Sequence, residues 1–517
     1  MRRVKTEKRP NASRLVQSQG LVYNTEPSAA AAVACNGSSP DKEEERDPYW
    51  PDNRYYSFAS EEIALLEKAG QDVFDMCCEA ADYLVAHPDV VTGKMAIPAF
   101  ALGQIAASWG REPAWGSVYG RFDVCFGGLD HPDPRLRSPK FYEFNADTPT
   151  SLVEAAAVQW QWLEQTGHGR DQFNSLTERL VAAWRRNLEH VVAEGLGGHR
   201  PAVIHFAASR GEPSGEDAMN TTLLMATCEQ AGWRAEPIFM DQIGQSKHDG
   251  RFYDHKGRHL DVVFKLYPWE WMVEQPFGEP CFRDMECVGS GSSSSDVLLM
   301  ASNVEKYTGG TVWIEAPYKM LWSNKGLFAV LWQLFQDDPR SKWLLPTYFE
   351  EEAPASVTRY ARKPLLAREG ADVTLHFDGQ ILGDTKTGQY GKEGYVLQEL
   401  AILPAFRDGE EGPQKENGEE KDEKEEEDTS TMYYPVLGLW FVDGEPAGMG
   451  IREDTKKITA NGSWFIPHSI SDGPLTYERK PIPDADEIEA VLTLENYQDL
   501  TSSSNGVLGY IEGITRE

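Results

Sequence analysis

The sequence predicts a mixed α/β or α+β enzyme. The chain has 517 residues, of which 40% are hydrophobic and 11% aromatic, and this length suits two or three domains or one large multi-lobed enzyme. Strand-like runs such as PAVIHF, LDVVFKLYP and PVLGLWFVDGEPAGMGI are interspersed with helix-like runs such as SLTERLVAAWRRNLEHVVAEG and KGLFAVLWQLFQ. A mixed order of strands and helices favours these two fold classes.

The overall charge narrows the range of partners. The formal net charge is −32 at pH 7, so bulk electrostatics argue against nucleic acid or an anionic membrane as a partner. Small anionic ligands stay possible, because local basic residues can override the net field. The seven cysteines have neither zinc nor disulfide spacing, which predicts reduced thiols in a cytoplasmic protein. No run approaches the roughly 18 apolar residues that a membrane-spanning helix needs.

Composition also marks the limits of the folded region. Residues 1–47 are polar and poor in aromatics, which predicts a disordered N-terminal tail. We expect a single ligase-type domain over residues 48–475, followed by a C-terminal extension over 476–517. Two insertions are expected within it: one near 288–311, where GSGSSSSD has linker composition, and one near 408–430. The second is acid-rich and is either a solvated loop or an interaction segment.

Polar side chains at two-residue spacing predict a cation site. In FYEFNADTPTS, the strand-like spacing puts Glu143, Asn145 and Asp147 on one face. Two carboxylates and an amide on one face need a cation nearby. Asp123, in YGRFDVCFGG, adds a further carboxylate, and the oxygen set of Asp123, Glu143 and Asn145 suits Mg²⁺. We expect Asp147 to organise the following turn, Thr148–Ser151, through side-chain to backbone hydrogen bonds.

Basic residues elsewhere predict phosphate binding. Arg121 shares a strand face with Asp123 and either forms a surface ion pair or faces phosphates. Lys325, in WSNKGL, begins a helix-like run, and Lys363, in ARKPLLAREG, precedes a glycine-bearing turn. Each lysine is either solvated or a phosphate ligand.

Two further patterns have a functional and a structural interpretation. Gly448 and Gly450, in GMGIRED, permit close backbone approach to a ligand ahead of Arg452, or serve a strand crossing. Glu216, in SGEDAMNTT, lies at the head of a helix-like run. It either compensates the helix dipole or forms an acidic recess for an amine.

These motifs together resemble one known family. YEFNADTPTSLVEAAAVQWQWLE, FKLYPWEWM, WSNKGL, ARKPLLAREG, GMGIRED and FIPH occur in the order of the glutathionylspermidine synthase family, over roughly residues 50–475. The resemblance implies an ATP-grasp-like fold preceded by a pre-ATP-grasp lobe. It also implies ATP and Mg²⁺ as cofactors, and a possible homodimer. Bacterial bifunctional members also carry an amidase domain. We expect only the synthetase part here, because too few residues precede the match.

The resemblance assigns roles to individual residues. It implies metal ligands at Asp123, Glu143 and Asn145; nucleotide contacts at Arg121, Asp123, Lys325, Lys363, Gln398 and Arg452; catalytic roles for Arg121 and Arg452; and substrate contacts at Arg121, Ser151 and Glu216. After KKIT the chain has Ala460 and Asn461, where the family has a lysine and an aspartate.

The sequence therefore predicts an ATP- and Mg²⁺-dependent carbon–nitrogen ligase. It would join a small carboxylate (glutathione, a peptide or an amino acid) to an amine (a polyamine or another amino compound) through an acyl phosphate. The alternative is a catalytically inactive, ATP-grasp-like protein that binds a nucleotide or a partner. The departure at Ala460 favours this alternative.

Overall fold

A computed structural model describes residues 1–23, 25, 47–111, 117–210, 214–288, 309–385, 388–407, 413–414, 431–460 and 462–493. The strands are β1 (Arg2–Lys5), β2 (Arg54–Phe58), β3 (Tyr119–Cys125), β4 (Lys140–Asn145), β5 (Ile204–Ala208), β6 (Ala235–Phe239), β7 (Gly244–Gln245), β8 (Phe252–Tyr253), β9 (Val262–Leu266), β10 (Val312–Ile314), β11 (Thr347–Phe349), β12 (Arg359–Pro364), β13 (Thr374–Phe377), β14 (Gln380–Asp384), β15 (Tyr395–Glu399), β16 (Ala405–Arg407), β17 (Pro413–Gln414), β18 (Met432–Val442), β19 (Glu445–Asp454), β20 (Trp464–Phe465) and β21 (His468–Ile470).

Helices are distributed between these strands, as the mixed pattern in the sequence predicts. The α-helices are α1 (Ala12–Ser18), α2 (Ser60–Ala86), α3 (Pro88–Gly93), α4 (Leu102–Trp109), α5 (Gln159–Thr166), α6 (Leu176–His190), α7 (Glu216–Gln230), α8 (Trp269–Met272), α9 (Gly278–Met285), α10 (Lys319–Ser323), α11 (Gly326–Phe335) and α12 (Ala485–Leu492). A π-helical turn, Glu154–Val158, leads directly into α5. Within the described ranges, no helix combines the length and apolarity that a membrane crossing requires.

The central sheet is antiparallel and holds β3 and β4 side by side. In the described part of the chain it has seven strands, with β18 and β19 as its long middle pair and β3 joined to the other edge of β18. The register puts Arg121 opposite Asn145, and Asp123 opposite Glu143. A bulge follows Asp123, and bulges of this kind often re-aim side chains beside active sites.

Two further sheets flank the central one. The first is antiparallel, in the order β11-β15-β12-β13-β14, and carries Lys363 on β12 and Gln398 on the adjacent β15. The second is parallel, in the order β10-β9-β5-β6, with α7 packed on β5 and β6. Parallel strands are usually buried on both faces, and β5 and β9 have every residue buried.

Helix α2 packs against the central sheet through a narrow contact. Its apolar residues recur every three or four positions, which puts Leu66, Val73 and Cys77 in the core. A Cβ at Gly70 would lie 3.0 Å from the ring of Phe441 on β18. The absence of a side chain at Gly70 therefore sets the distance between α2 and the sheet.

The N-terminal residues correct one prediction. Residues 1–23 of the segment predicted as a disordered tail form β1, which pairs with β2, and α1, which packs on α12 through Leu15 and Ile488. Arg3 on β1 donates two hydrogen bonds to the buried Glu453 on β19, at 2.8 and 3.1 Å. Composition missed this because the segment is held by a buried ion pair as well as by apolar residues.

Other boundary predictions fall mostly on parts of the chain beyond the described ranges. Residues 24 and 26–46 of the predicted tail lie there, as do 289–308 of the first predicted insertion. Of the acid-rich loop, the described residues are 413–414, which form β17.

Replacing Arg3 with methionine should lower the free energy of unfolding by about 2 kcal/mol, because the buried Glu453 carboxylate loses a two-bonded partner. Urea denaturation measures the change. Arg14→Met is the matched control, since its pair with Glu489 is about half exposed on both sides and should contribute less than about 1 kcal/mol. Equal effects at the two positions would show that the ion pair of β1 does not stabilise the fold.

Candidate active site

A cavity of about 500 Å³ lies between the central sheet and the five-stranded sheet that carries β12 and β15. Among the charged residues of its described lining, the basic ones outnumber the acidic ones, although the whole chain carries a charge of −32. The basic lining residues are Arg121, Arg135, Lys325, Arg359, Lys363, Arg368, Arg452 and Lys457, and the acidic ones are Asp123, Glu143, Glu369 and Glu399. A cleft with an excess of one sign of charge concentrates ligands of the opposite sign, so this cavity favours anions.

The oxygen cluster predicted from the sequence is assembled on β3 and β4. Asn145 Nδ2 donates to Glu143 Oε1 at 3.1 Å and lies 3.5 Å from Asp123 Oδ2. Arg121 Nε donates to Asp123 Oδ1 at 2.8 Å. No group of three or more His, Cys, Asp or Glu side chains suited to a metal occurs among the described residues. Two carboxylates and one amide oxygen nevertheless fit Mg²⁺, which completes its shell with water and phosphate oxygens.

Lys325 is held against this cluster. Its Nζ lies 3.0 Å from Glu143 Oε2 and also donates to the main-chain oxygen of Ala367. Burial opposes ionisation of Glu143, but Lys325 and then Lys363 outweigh it and hold the pKa of Glu143 at about 2. Asp123 responds differently, because burial raises the pKa of its carboxyl in spite of Arg121. Glu143 therefore stays ionised at neutral pH and is the firmer anionic member of the pair.

Lys363 and Gln398 link the five-stranded sheet to β4 of the central sheet. Its Nζ donates to Gln398 Oε1 at 2.7 Å, and Gln398 Nε2 donates to the main-chain oxygen of Tyr142 at 3.2 Å. Burial lowers the pKa of Lys363 to about 8, with Glu143 opposing the fall and Lys325 adding to it. The cavity wall next to Gln398 is apolar; its members include Ala361, Val373, Leu375, Leu400 and Ile402.

Arg452 enters the cavity from β19 and is fixed by main-chain oxygens. Its Nε donates to the oxygen of Ser463 at 3.1 Å, and its Nη2 donates to the oxygen of Ala460 at 3.0 Å. Ala460 thus takes part through its backbone, which any residue could supply. Asn461, the other departure from the family pattern, lies outside the described residues.

The Ser151 end of the cavity forms a recess, and two glutamates, Glu154 and Glu216, lie behind its wall. Ser151 lines the cavity with a left-handed backbone (φ 69°), and its Oγ is 3.3 Å from the hydroxyl of Tyr49. Glu154 is fully buried, and its two carboxylate oxygens have no hydrogen-bond partner among the described residues. Burial raises the pKa of Glu154 to about 7, and the nearby charge of Glu216 adds to the rise. Neither Glu154 nor Glu216, which lies at the start of α7, belongs to the described cavity lining.

Sequence reasoning predicted Ser151 but missed Arg368 in the cavity lining and Glu154 behind it. Ser151 and Glu154 have the S-x-x-E spacing of a helix capping box, which conceals Glu154 behind an ordinary structural explanation. Arg368 also lines the cavity, where its Nη2 donates to the main-chain oxygen of Thr148 at 3.0 Å. The crowded loop RKPLLAREG was the available signal for Arg368.

The predicted role of Asp147 is wrong. Its carboxylate makes no bond to the turn that follows. It accepts instead from Lys265 Nζ at 2.7 Å and from the main-chain nitrogen of Trp269 at 2.8 Å. Asp147 is therefore buried behind the turn, while Glu143 and Asn145 face the cavity. The change of direction follows the end of β4 at Asn145, where strict alternation of side chains stops.

Lys363 from the five-stranded antiparallel sheet and Lys325 from the start of α11 face the carboxylates of Asp123 and Glu143 across this cavity, an arrangement that suits an ATP-dependent ligase of the ATP-grasp class. Residues 3–471 match the family described as glutathionylspermidine synthase preATP-grasp, and the chain therefore belongs to the glutathionylspermidine synthase family. The match confirms the predicted fold class and the predicted enzyme class, an ATP-dependent amide ligase.

Individual relatives agree with this membership. The chain is 32% identical over 435 residues to a putative acid–amine ligase of Haemophilus influenzae, which covers 81% of this chain and 90% of the relative. It is 25% identical over 369 residues to the bifunctional glutathionylspermidine synthetase/amidase of Escherichia coli, covering 69% and 53%. It is 23% identical over 376 residues to trypanothione synthetase of Crithidia fasciculata, covering 72% and 50%. The chain thus spans most of the first relative and about half of the other two.

The buried Glu154 should make folding stability depend on pH. Its pKa of about 7 in the folded chain lies above its ordinary value of 4.5. Folding therefore favours the protonated carboxyl, so this stabilisation is complete below about pH 4.5 and is lost as pH rises through about 7. Glu154→Gln has no such loss. The difference in the free energy of unfolding, variant minus wild type, should therefore increase by about 2–3 kcal/mol from pH 5 to pH 8. Urea denaturation at both pH values measures this, and parallel curves would contradict the assignment.

Proposed function

We propose that this enzyme joins a small carboxylate to an amine through an acyl phosphate, with ATP and Mg²⁺. The single observation that carries the proposal is the cavity itself. It runs from lysines and an apolar wall, past the oxygen cluster of Asp123, Glu143 and Asn145, to the recess beside Ser151. Each part suits one reactant, and the parts are contiguous.

Asp123, Glu143 and Asn145 are the proposed Mg²⁺ ligands. Their side chains meet from two neighbouring strands, where the Asn145 amide contacts both carboxylates, and the two carboxylates supply the negative charge that a divalent cation needs. Mg²⁺ held there would neutralise charge on the nucleotide phosphates. Lys325 forms its ion pair with Glu143 and therefore lies where it could exchange the carboxylate for a phosphate.

Lys325 and Lys363 are the proposed phosphate contacts, and Gln398 marks the base-binding end. Lysine ammonium groups bind phosphate as point charges. The apolar wall beside Gln398 suits the faces of a planar base.

The carboxylate substrate is activated between Arg121 and Arg452. A carboxylate oxygen attacks the γ-phosphorus of ATP, the bond to the leaving ADP oxygen breaks, and an acyl phosphate results. The guanidinium groups of Arg121 and Arg452 provide fixed positive charge where negative charge develops. Hydrogen bonds to Asp123 and to main-chain oxygens hold both groups in place before any substrate binds.

The amine is proposed to bind in the acidic recess. Glu216 attracts the positive charge of the amine through the wall of the recess, and Glu154 adds to this attraction in its ionised form, which is reached near its pKa of about 7. The amine nitrogen attacks the acyl carbon, the carbon–nitrogen bond forms and phosphate leaves. An acidic recess favours an amine with several positive charges, and the names of the Escherichia coli and Crithidia fasciculata relatives make glutathione and polyamines the first candidates.

A homodimer and a cytoplasmic location stay predictions that follow from the family resemblance and from the cysteine pattern. Sedimentation equilibrium tests the first. Fractionation of source cells, followed by detection with an antibody, tests the second.

Product analysis tests the proposed reaction. The enzyme is incubated with ATP, Mg²⁺ and a mixed pool of peptides, amino acids and polyamines, and products are identified by mass spectrometry. We expect a new species whose mass equals acid plus amine minus water, with one phosphate released per product. ATP hydrolysis without any such species would contradict the proposal.

Glu143→Gln should lower the turnover rate at least 100-fold, or about 3 kcal/mol of transition-state stabilisation, because it removes a charged metal ligand. Phosphate release in the presence of the identified acid and amine measures the rate. Glu350→Gln provides the control, since Glu350 is an exposed partner of Arg362 outside the cavity. Full activity of Glu143→Gln would remove this residue from the metal site.

A further inference from the structure

A buried ion pair lies directly behind the cavity wall. Asp147 and Lys265 are 1% and 0% exposed, and Lys265 Nζ donates to Asp147 Oδ1 at 2.7 Å. Lys265 belongs to β9 of the parallel sheet, whereas Asp147 follows β4 of the central sheet by two residues. Neither residue belongs to the described lining of the cavity. The pair therefore joins two sheets without touching a ligand directly.

Stability alone does not account for such a pair. Two buried charges must be desolvated, and a well-packed apolar pair of the same volume is often as stable or more so. A fixed geometry is what a buried, fully bonded pair provides. Asp147 has that geometry, because its second oxygen accepts from the main-chain nitrogen of Trp269 at 2.8 Å.

The residues that follow Asp147 and Trp269 in the chain both contact the guanidinium of Arg368. Thr148, next to Asp147, accepts from Arg368 Nη2 through its main-chain oxygen at 3.0 Å. Glu270, next to Trp269, lies 3.2 Å from Arg368 Nη1. The single carboxylate of Asp147 thus fixes the spacing between the two groups that orient Arg368. Arg368 lines the cavity beside the Thr148–Ser151 turn.

The same turn also restrains a second guanidinium. Arg121 Nη1 donates to the main-chain oxygen of Thr150 at 2.7 Å. The turn is tethered at its far end as well, where the main-chain nitrogen of Leu152 donates to Asn220 Oδ1 at 2.8 Å. A displacement of Asp147 would therefore move Arg368 first and Arg121 second. Lys363 makes its contact with Gln398, and Lys325 is held by the Glu143 carboxylate as well as by the main-chain oxygen of Ala367, which precedes Arg368.

We propose that Asp147 and Lys265 are positioning residues for the carboxylate substrate, acting through Arg368 and the Thr148–Ser151 turn. The proposal rests on the ligase reaction proposed above and adds to it the groups that set affinity for the acid. Loss of the pair should raise the KM for the acid about tenfold and leave the KM for ATP within about twofold of the wild type, since Gln398 holds Lys363 and the ion pair with Glu143 holds Lys325.

The test uses a neutral replacement, because a single substitution would leave one charge buried and alone. Asp147→Asn with Lys265→Met removes both charges, and asparagine still accepts from the nitrogen of Trp269. A matched control is the pair of Arg251 and Asp284, where one Asp284 oxygen accepts from Arg251 at 2.8 Å and the other from the main-chain nitrogen of Thr311 at 2.7 Å. Asp284→Asn with Arg251→Met makes the same chemical change away from the cavity.

Steady-state kinetics are measured with the acid and amine found by product analysis, glutathione and spermidine being the first pair assayed. Melting temperatures of both double variants show whether each is folded. A selective rise of the acid KM in the Asp147/Lys265 variant, absent from the control, supports the proposal. The proposal is also supported if replacing the pair raises the acid KM less in an Arg368→Lys background than in the wild type.

An unchanged acid KM, or an equal rise of the acid and ATP KM values, overturns the positioning role while the ligase assignment stands. A wild-type enzyme that yields no product from the pool overturns the proposed reaction and this inference together.

Discussion

The antiparallel register of β3 with β4 is the constraint on which the site depends. It puts the carboxylates of Asp123 and Glu143 directly opposite one another, an arrangement that is unfavourable for like charges on a sheet. Three groups offset the repulsion: Arg121 binds Asp123, Lys325 binds Glu143, and Asn145 donates between them. The residues that neutralise the cluster are also those proposed to meet phosphate and carboxylate groups. Folding and ligand binding thus use one set of charges.

The local field of the cavity is opposite in sign to that of the chain. Many acids lie elsewhere, whereas guanidinium and ammonium groups from β3, β12, β19 and the loop after β12 converge on one volume. The low dielectric of a partly closed cleft strengthens their effect on an anion. A strongly acidic surface meanwhile repels other polyanions, which restricts the cavity to small anionic ligands that can enter it.

Much of this site could be predicted because its chemistry follows strand periodicity. Glu143 and Asn145 alternate on a regular strand, and their shared face followed from spacing alone. Periodicity failed at Asp147, because the strand has ended there and the chain turns. Glu154 was hidden by the capping-box spacing from Ser151, and its burial depends on packing that no local pattern encodes. The N-terminal strand was missed for a related reason: Arg3 is ordered by a carboxylate that is distant in sequence.

The pairing of Arg3 with Glu453 has a consequence for biosynthesis. The two residues are 450 positions apart, so a nascent chain emerging from the ribosome exposes β1 long before its ionic partner exists. Contacts of such separation form late and slowly. Because Glu453 adjoins Arg452, the strand that presents this guanidinium to the cavity acquires its rear support only after residue 453 has been made. A chain that is still shorter than this therefore lacks the complete cavity.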